Sequence, residues 1–365
     1  MKIAIIGGGI VGSVTAFYLS QTIHQVTLFD DGEGQATKAA AGIICPWFSK
    51  RRNQAWYRLA DRGAHFFLTL MEDMKQQGIN VQSYQPRETW LVKKRPDQIE
   101  SLYTLVKQRQ KQSPLIHHVE VLSPTMQQER FPLFHYDHEV LSVAGGAVID
   151  GGLFCSELLQ AATQLNLTIH RHKATLRRSN DSLLVNEEPF DRVVVAAGAW
   201  LPSVLANFPC QVDITPQKGQ LALYQLPNAT NNWPLIMPEG AVDIIPHQNG
   251  TLYLGATHEK GVGYNLDVDP TPLENLLKNV QPLLPALDVL HYQQIKVGTR
   301  AYTSDFSPFF GAIKEIPDLY VASGLGASGL TTGPLIGAEL AKMVLEEPTT
   351  LPGADYRPDP YIIFD

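Results

Sequence analysis

The 365-residue chain holds only three cysteines, Cys45, Cys155 and Cys210, with no CxxC pair among them. They cannot form an even disulfide framework, and their scatter argues for a reducing compartment, so the expected location is the cytoplasm. His117-His118, His135 and His138 have no zinc spacing with the cysteines, so no metal is indicated. Positive charge is in deficit too: Lys+Arg is 29 against Asp+Glu 36, a formal charge of −7. That sign speaks against a generally basic, nucleic-acid-binding surface. No stretch reaches the ~20 uninterrupted apolar residues of a membrane span, and neither an internal repeat nor a low-complexity tract is visible. Met1–Leu19 begins with Lys2 and runs apolar, as a signal peptide does. Three glycines interrupt it and no A-x-A site follows, so the expectation is a strand Lys2–Ile6, a glycine turn and a helix from about Val11 to Ser20.

What is present suits a globular protein of two or three domains, at roughly 100–200 residues each, with a core that needs no staple. Gly7-Gly8-Gly9-Ile10-Val11-Gly12 fits G-x-G-x-x-G, directly after a strand and opening a helix. Such glycines make a tight turn, let backbone approach a pyrophosphate, and allow close helix–strand packing. The helix N-terminus adds free N–H groups and the positive end of a dipole. A second strand, Gln25–Phe29, ends in Asp30-Asp31, where a ribose-binding carboxylate belongs. Asp30 ends the strand and is the better ribose ligand; Asp31 is expected to face solvent. The pattern predicts dinucleotide binding, with Gly7, Gly9, Ile10, Val11, Gly12 and Phe29 around the cofactor.

Gly32–Ile44 is rich in small residues, which would let backbone approach a flat ring system. Here the sequence resembles the D-amino-acid oxidase-like family of flavoproteins, which includes glycine oxidase, sarcosine oxidase and the small subunits of D-amino-acid dehydrogenases. The resemblance implies FAD as cofactor, with Lys38, Ala39, Ala40, Ala41 and Gly42 lining the flavin; Lys38 replaces the usual Ser. Asp191–Trp200 looks like the family's second flavin-contacting strand, bringing Ala197, Gly198 and Trp200. Upstream, Leu153–Leu165 reads as a helix and Thr168–Leu176 as a strand, and Thr175 matches an adenine-contacting position. Leu319–Gly324 reads as a strand running into a glycine-rich loop and a helix through about Leu345. In the family that loop meets the flavin edge, which implies roles for Gly324, Gly326, Ala327, Ser328, Gly329, Leu330 and Thr331.

Gly298–Gly311 matches the family's G-x-R-x-x-T-x-D-x-x-P-x-x-G signature, whose arginine, here Arg300, binds the substrate carboxylate. Arg suits that task because its planar fork pairs both carboxylate oxygens and stays charged. None of the cysteines lies where relatives attach flavin covalently, so non-covalent FAD is expected. Thr215–Gln220 resembles the family's P-x-K/R-G-Q/E turn leading into the substrate-domain sheet. That sheet continues as Ala241–His247 and Thr251–His258, with Asn249-Gly250 as a hairpin turn. Asp243 stands where glycine oxidase has a substrate-facing Tyr, His247 where it has an Arg, and His258 where a Met faces the flavin. Asp243 either pairs with a substrate ammonium or distal basic group, or faces solvent. His258 either accepts a proton or serves structure, and Tyr302 either closes the pocket or packs in the sheet.

The implied fold is α/β: a Rossmann-type FAD-binding domain (1–80, 140–205 and 300–365) interleaved with an α+β substrate domain on a mostly antiparallel sheet (81–139 and 206–299). The implied activity is oxidative deamination or N-dealkylation of a small amino acid or amine. Hydride passes from substrate carbon to flavin N5, Arg300 holds the carboxylate, and oxygen or a quinone takes the electrons. Alternatives are a nicotinamide-dependent dehydrogenase, a family member acting on a modified tRNA base, and a catalytically silent flavin-binding protein; no nucleic-acid partner is expected. Basic clusters at Lys50-Arg51-Arg52, Lys93-Lys94-Arg95 and Lys107–Lys111 read as solvated faces, with peripheral membrane contact and homo-oligomerisation left open. The tail, Pro352–Asp365, docks on a neighbour or on its own domain.

Overall fold

Lys2–Ile6 alternates its side chains between two buried layers: Ile3 and Ile5 enter one core, Ala4 and Ile6 another. Burial on both faces is the mark of a central parallel strand. In the computed structural model, which describes residues 1–49, 53–180, 182–227, 230–240, 242–289 and 291–365, it is one. The six-stranded sheet runs Phe309–Ala312, Leu319–Ser323, Arg192–Val195, Lys2–Ile6, Gln25–Phe29, Leu167–His170. Its inner pairs are parallel and only Phe309–Ala312 runs antiparallel to its neighbour. Helices Ile10–Ser20, Gly151–Thr163 and Gly329–Val344 cover one face. A three-stranded sheet from Leu176 to Phe190 covers the other.

A nine-stranded, mostly antiparallel sheet forms the second body, in the order Gln294–Tyr302, Thr215–Gln225, Thr251–Gly255, Asp243–Pro246, Leu235–Met237, Tyr84–Leu91, Val140–Ile149, Ile43–Ile44. His118–Leu122 adds to Val140–Ile149, and Leu235–Met237 pairs in parallel with Tyr84–Leu91. Asn249 and Gly250 both adopt positive φ in the expected hairpin turn. One face of this sheet packs Tyr224, Ile244 and Leu254 against Leu273 and Leu277 of helix Pro270–Lys278. The opposite face turns Leu221, Ile245 and Tyr253 toward Cys45 and Trp47.

Several boundaries move. Val140–Ile149, expected with the cofactor segments, hydrogen-bonds between Tyr84–Leu91 and Ile43–Ile44 and so belongs to the large sheet. The predicted strand 168–176 breaks after His170, because the chain must leave the sheet edge before Leu176–Ser179 starts the small sheet. The tail docks on its own chain: Ile362–Phe364 pairs with Cys210–Val212, and Tyr361 stacks on Phe309 at 4.9 Å. Arg109, in the Lys107–Lys111 cluster, is no free surface charge: it donates to Ser49 O at 2.8 Å and lies 4.2 Å over the Tyr57 ring. Lys50-Arg51-Arg52 and Ala241 lie outside the described residues. Among the described residues no helix is long and apolar enough to cross a membrane, and no metal-holding cluster occurs.

Candidate active site

The sheet's first turn sets the floor of a long, partly open cleft. Gly7 has φ +105°, and a Cβ there would lie 2.5 Å from Ala196 O. Gly12 sits where a Cβ would meet Gly7 O at 1.8 Å, so it serves helix–strand packing and does not line the cleft. Gly7, Gly9, Ile10, Val11, Phe29, Asp30 and Asp31 all do. The Asp30 carboxyl lies under Gly8, takes Gly32 N at 3.3 Å and pairs with the Gln35 amide. Burial pushes its pKa up, against the pull of the Gly32 N–H and Lys38. Asp31 is exposed at the rim beside Lys173, which also reaches Glu33.

Two helix N-termini meet at this cleft, those of Ile10–Ser20 and Gly329–Val344. They approach closely because Gly337 has no side chain to press on Val11 O, and Thr15 Oγ1 donates to Gly337 O at 3.0 Å. Neither has an acidic residue in its first turn, so both present positive dipole ends to a ligand. Ala197, Gly198, Trp200, Gly324, Gly326 and Gly329 complete the walls as expected. Two buried polar atoms of lining residues, Gln35 Oε1 and Thr299 Oγ1, have no hydrogen-bond partner. A glycine floor, helix dipoles, a strand-end carboxylate and unspent polar atoms fit a flavin adenine dinucleotide.

Other expected contacts are not in the cleft lining. Thr37 turns inward and accepts from Ile10 N at 3.1 Å, after which Lys38 stays exposed and Ala39 packs under Gly298. Ala40, Ala41 and Gly42 follow that path, with Gly42 pressed on Ile149 O. Thr175 is tied to Asn186, at 2.8 Å from its N–H, and the cleft is lined by His172, Lys173 and Ala174 instead. Past Gly326 only Gly329 returns to the lining. Ser328 accepts from Trp56 Nε1, Leu330 enters the core, Thr331 donates to Ile43 O, and Ala327 is not in the lining. Gln35, Ala36 and Thr299 also line the cleft, brought there by the register Gln35↔Thr299, which no local spacing in the sequence signals.

Arg300 stands on the strand Gln294–Tyr302, opposite Gln217. Its guanidinium lies over Gly219, whose Cβ would sit 2.7 Å from both terminal nitrogens. It donates to Thr257 O at 3.0 Å and Gln217 Oε1 at 3.3 Å. No carboxylate of the described residues comes within ion-pair distance, and burial lowers its pKa. Glu259, nearby, is held by Lys218 at 3.6 Å and by Gln220. The segment Pro216–Gln220, expected as a turn, is part of the strand Thr215–Gln225 and alternates: Gln217 and Gly219 shape the arginine seat, while Lys218 and Gln220 secure the neighbouring strand. Gln217 escaped notice in the sequence, since only pairing shows it beside Arg300.

Gln217 Oε1 also lies 3.1 Å from His258 Nδ1. An amide oxygen only accepts, so Nδ1 carries the hydrogen and Nε2 is left as acceptor. Burial and the Arg300 charge lower the His258 pKa. Tyr302 covers Gly326, where a Cβ would lie 2.3 Å from its ring, and meets Phe306 edge-on. Asp243 is not part of this cluster: it pairs opposite Gly255, two strands away from Gly219. None of Arg300, His258, Tyr302 and Asp243 lines the long cleft itself.

The sequence pattern described as FAD dependent oxidoreductase matches residues 2–343. The oxidoreductase YurR of Bacillus subtilis, itself uncharacterized, is 34% identical over 97% of both chains. Glycine oxidase of the same organism is 24% identical over 94% of this chain and 92% of its own. The crystal structure of iminodiacetate oxidase from Chelativorans sp. BNC1 superposes with a TM-score of 0.92, at 30% identity and 98% coverage of both chains.

Proposed function

Because the chain belongs to the FAD dependent oxidoreductase family, we propose that it oxidises a small amino acid or N-alkyl amino acid whose carboxylate is held by Arg300. The observation that carries this is the half-buried guanidinium over Gly219, bonded to a carbonyl and an amide but to no carboxylate of the described residues. Taking a cation partly out of water without a bonded counter-charge is unfavourable. A carboxylate substrate offsets that cost and is gripped in a defined plane. Iminodiacetate oxidase and glycine oxidase are named for compounds that carry a carboxylate near an amine, which supports the same reading.

A flavin held in the cleft would supply a two-electron acceptor. The chain supplies placement: Arg300 fixes the acid group, and Gln217 and Thr257 O hold Arg300 in turn. Tyr302, packed on Gly326 and Phe306, screens the site from water. His258 Nε2 is a neutral acceptor able to take a proton from the substrate amine, which must lose its charge before oxidation. Anaerobic mixing of the purified yellow protein with D-, L- and N-methyl amino acids tests the proposal. Bleaching of the flavin absorbance by at least one compound is expected, and bleaching by none would overturn it. Reoxidation in air then marks oxygen as acceptor, and its failure marks a quinone.

A further inference from the structure

Gln217 stands on the strand Thr215–Gln225, between two neighbours that each bring one functional side chain to it. On one side the strand Gln294–Tyr302 places Arg300 directly opposite. On the other, the chain beyond Gly255 keeps bonding to the same strand. Thr257 N donates to Gln220 O at 3.0 Å, and Lys218 and Glu259 exchange backbone bonds at 3.1 and 3.0 Å. His258 lies between those rungs. Gln217 is 6% exposed, and its one side-chain oxygen takes Arg300 Nη1 at 3.3 Å and His258 Nδ1 at 3.1 Å. A guanidinium has no acceptor, so the Gln217 atom that faces it must be the oxygen and not the amide nitrogen. The same oxygen then selects the His258 tautomer protonated at Nδ1.

That this shared acceptor is uncharged has a consequence for both partners. A neutral oxygen leaves the guanidinium charge unspent. A carboxylate of the same shape would pair with Arg300 and favour the imidazolium form of His258. The other charges nearby do not take that part. Glu259 is turned to Lys218 at 3.6 Å and to Gln220 Nε2 at 2.8 Å. Burial, then the charges of Arg300 and Lys260, hold the His258 pKa down. Tyr302 and Glu259 are the titratable groups that bear on Arg300. His258 is exposed and Arg300 half-buried, so both reach solvent, while Gln217, which joins them, is buried.

We infer that Gln217 is a positioning residue that joins the carboxylate anchor to the proton acceptor, its neutral oxygen holding Arg300 and His258 as one hydrogen-bonded unit with His258 Nε2 left for the substrate amine. This rests on the reading of Arg300 as the carboxylate anchor. NMR of the histidine ring nitrogens in the wild-type holoenzyme, with His258→Gln identifying the signal, should show neutral His258 protonated at Nδ1. In Gln217→Glu the new carboxylate keeps His258 protonated to higher pH, so the acid-side fall of kcat/KM should move up by roughly one pH unit or more. Acetate, titrated calorimetrically, should bind that variant about 10-fold more weakly or worse, because the carboxylate occupies Arg300. Gln217→Met, similar in length and uncharged, should not move the acid-side fall upward. A purely structural Gln217 would alter stability in both variants and shift neither reading. Neutral His258 protonated at Nε2 in the wild type, either reading unmoved in Gln217→Glu, or an equal upward move in Gln217→Met would overturn the inference. In a wild type that oxidises amino acids those results leave the anchor reading standing. A wild type that oxidises none and binds no acetate would overturn both.

Discussion

Replacing Arg300 by Met separates an anchor for substrate from an arginine that merely holds the fold. In the folded chain the guanidinium is half-buried, its proton affinity is lowered by that desolvation, and it makes one bond to a backbone carbonyl and one to Gln217. Methionine fills similar apolar space and removes the desolvation cost, so the variant should be no less stable than the parent. The two lost bonds, to Thr257 O and Gln217 Oε1, together cost about 2 kcal/mol or more, and the relieved desolvation of the cation offsets a similar amount. The melting temperature should therefore hold within about 4 °C or rise. Catalysis should respond quite differently. Losing a bidentate, charge-assisted grip costs about 3–4 kcal/mol of transition-state binding, a fall of roughly 10²- to 10³-fold in kcat/KM. Stopped-flow reduction of the flavin and thermal unfolding of the same sample read both quantities. A variant that melts well below the parent yet keeps its kcat/KM would refute the reasoning, for Arg300 would then be structural.

Two further expectations come from the same geometry. Gly219→Ala places a methyl 2.7 Å from the guanidinium nitrogens, so Arg300 must swing away; KM should rise about 10-fold or more while flavin content per protein stays at the parental level. His247 is 5% exposed, its Nε2 has no partner, and burial lowers its pKa from 6.5 to about 4. Between those values the unfolded chain binds the extra proton, so stability should fall as pH drops from about 6.5 toward 4, by on the order of 3 kcal/mol. His247→Gln should flatten that slope in denaturant titrations, and an unchanged slope would assign it to other groups.

Much of the cofactor half was legible because its chemistry is local. Glycine spacing, the strand that precedes it and the acid that ends the next strand lie within thirty or so residues, at roughly one βαβ unit. Gly7, Gly9 and Asp30, singled out by that spacing, line the cleft, and so do Gly324, Gly326 and Gly329, which the family resemblance had pointed to. Elsewhere a short local contact sets the placement: beyond the inward bond of Thr37 to Ile10, Lys38–Gly42 are not in the cleft lining, and Thr175 is tied to Asn186.

The substrate side is another matter. Sequence could single out Arg300 and flag Asp243 and His258, because residue type alone determines what a side chain is able to bind. It could not show that Gln217 bridges two of them, that Gly219 makes room for the guanidinium, or that Asp243 stands two strands away from that seat. Those relations join strands separated by tens of residues, and they exist only once hydrogen-bonded register has aligned Arg300 with Gln217 and Gly255 with Asp243. A shift of a single residue would send each of these side chains to the opposite face.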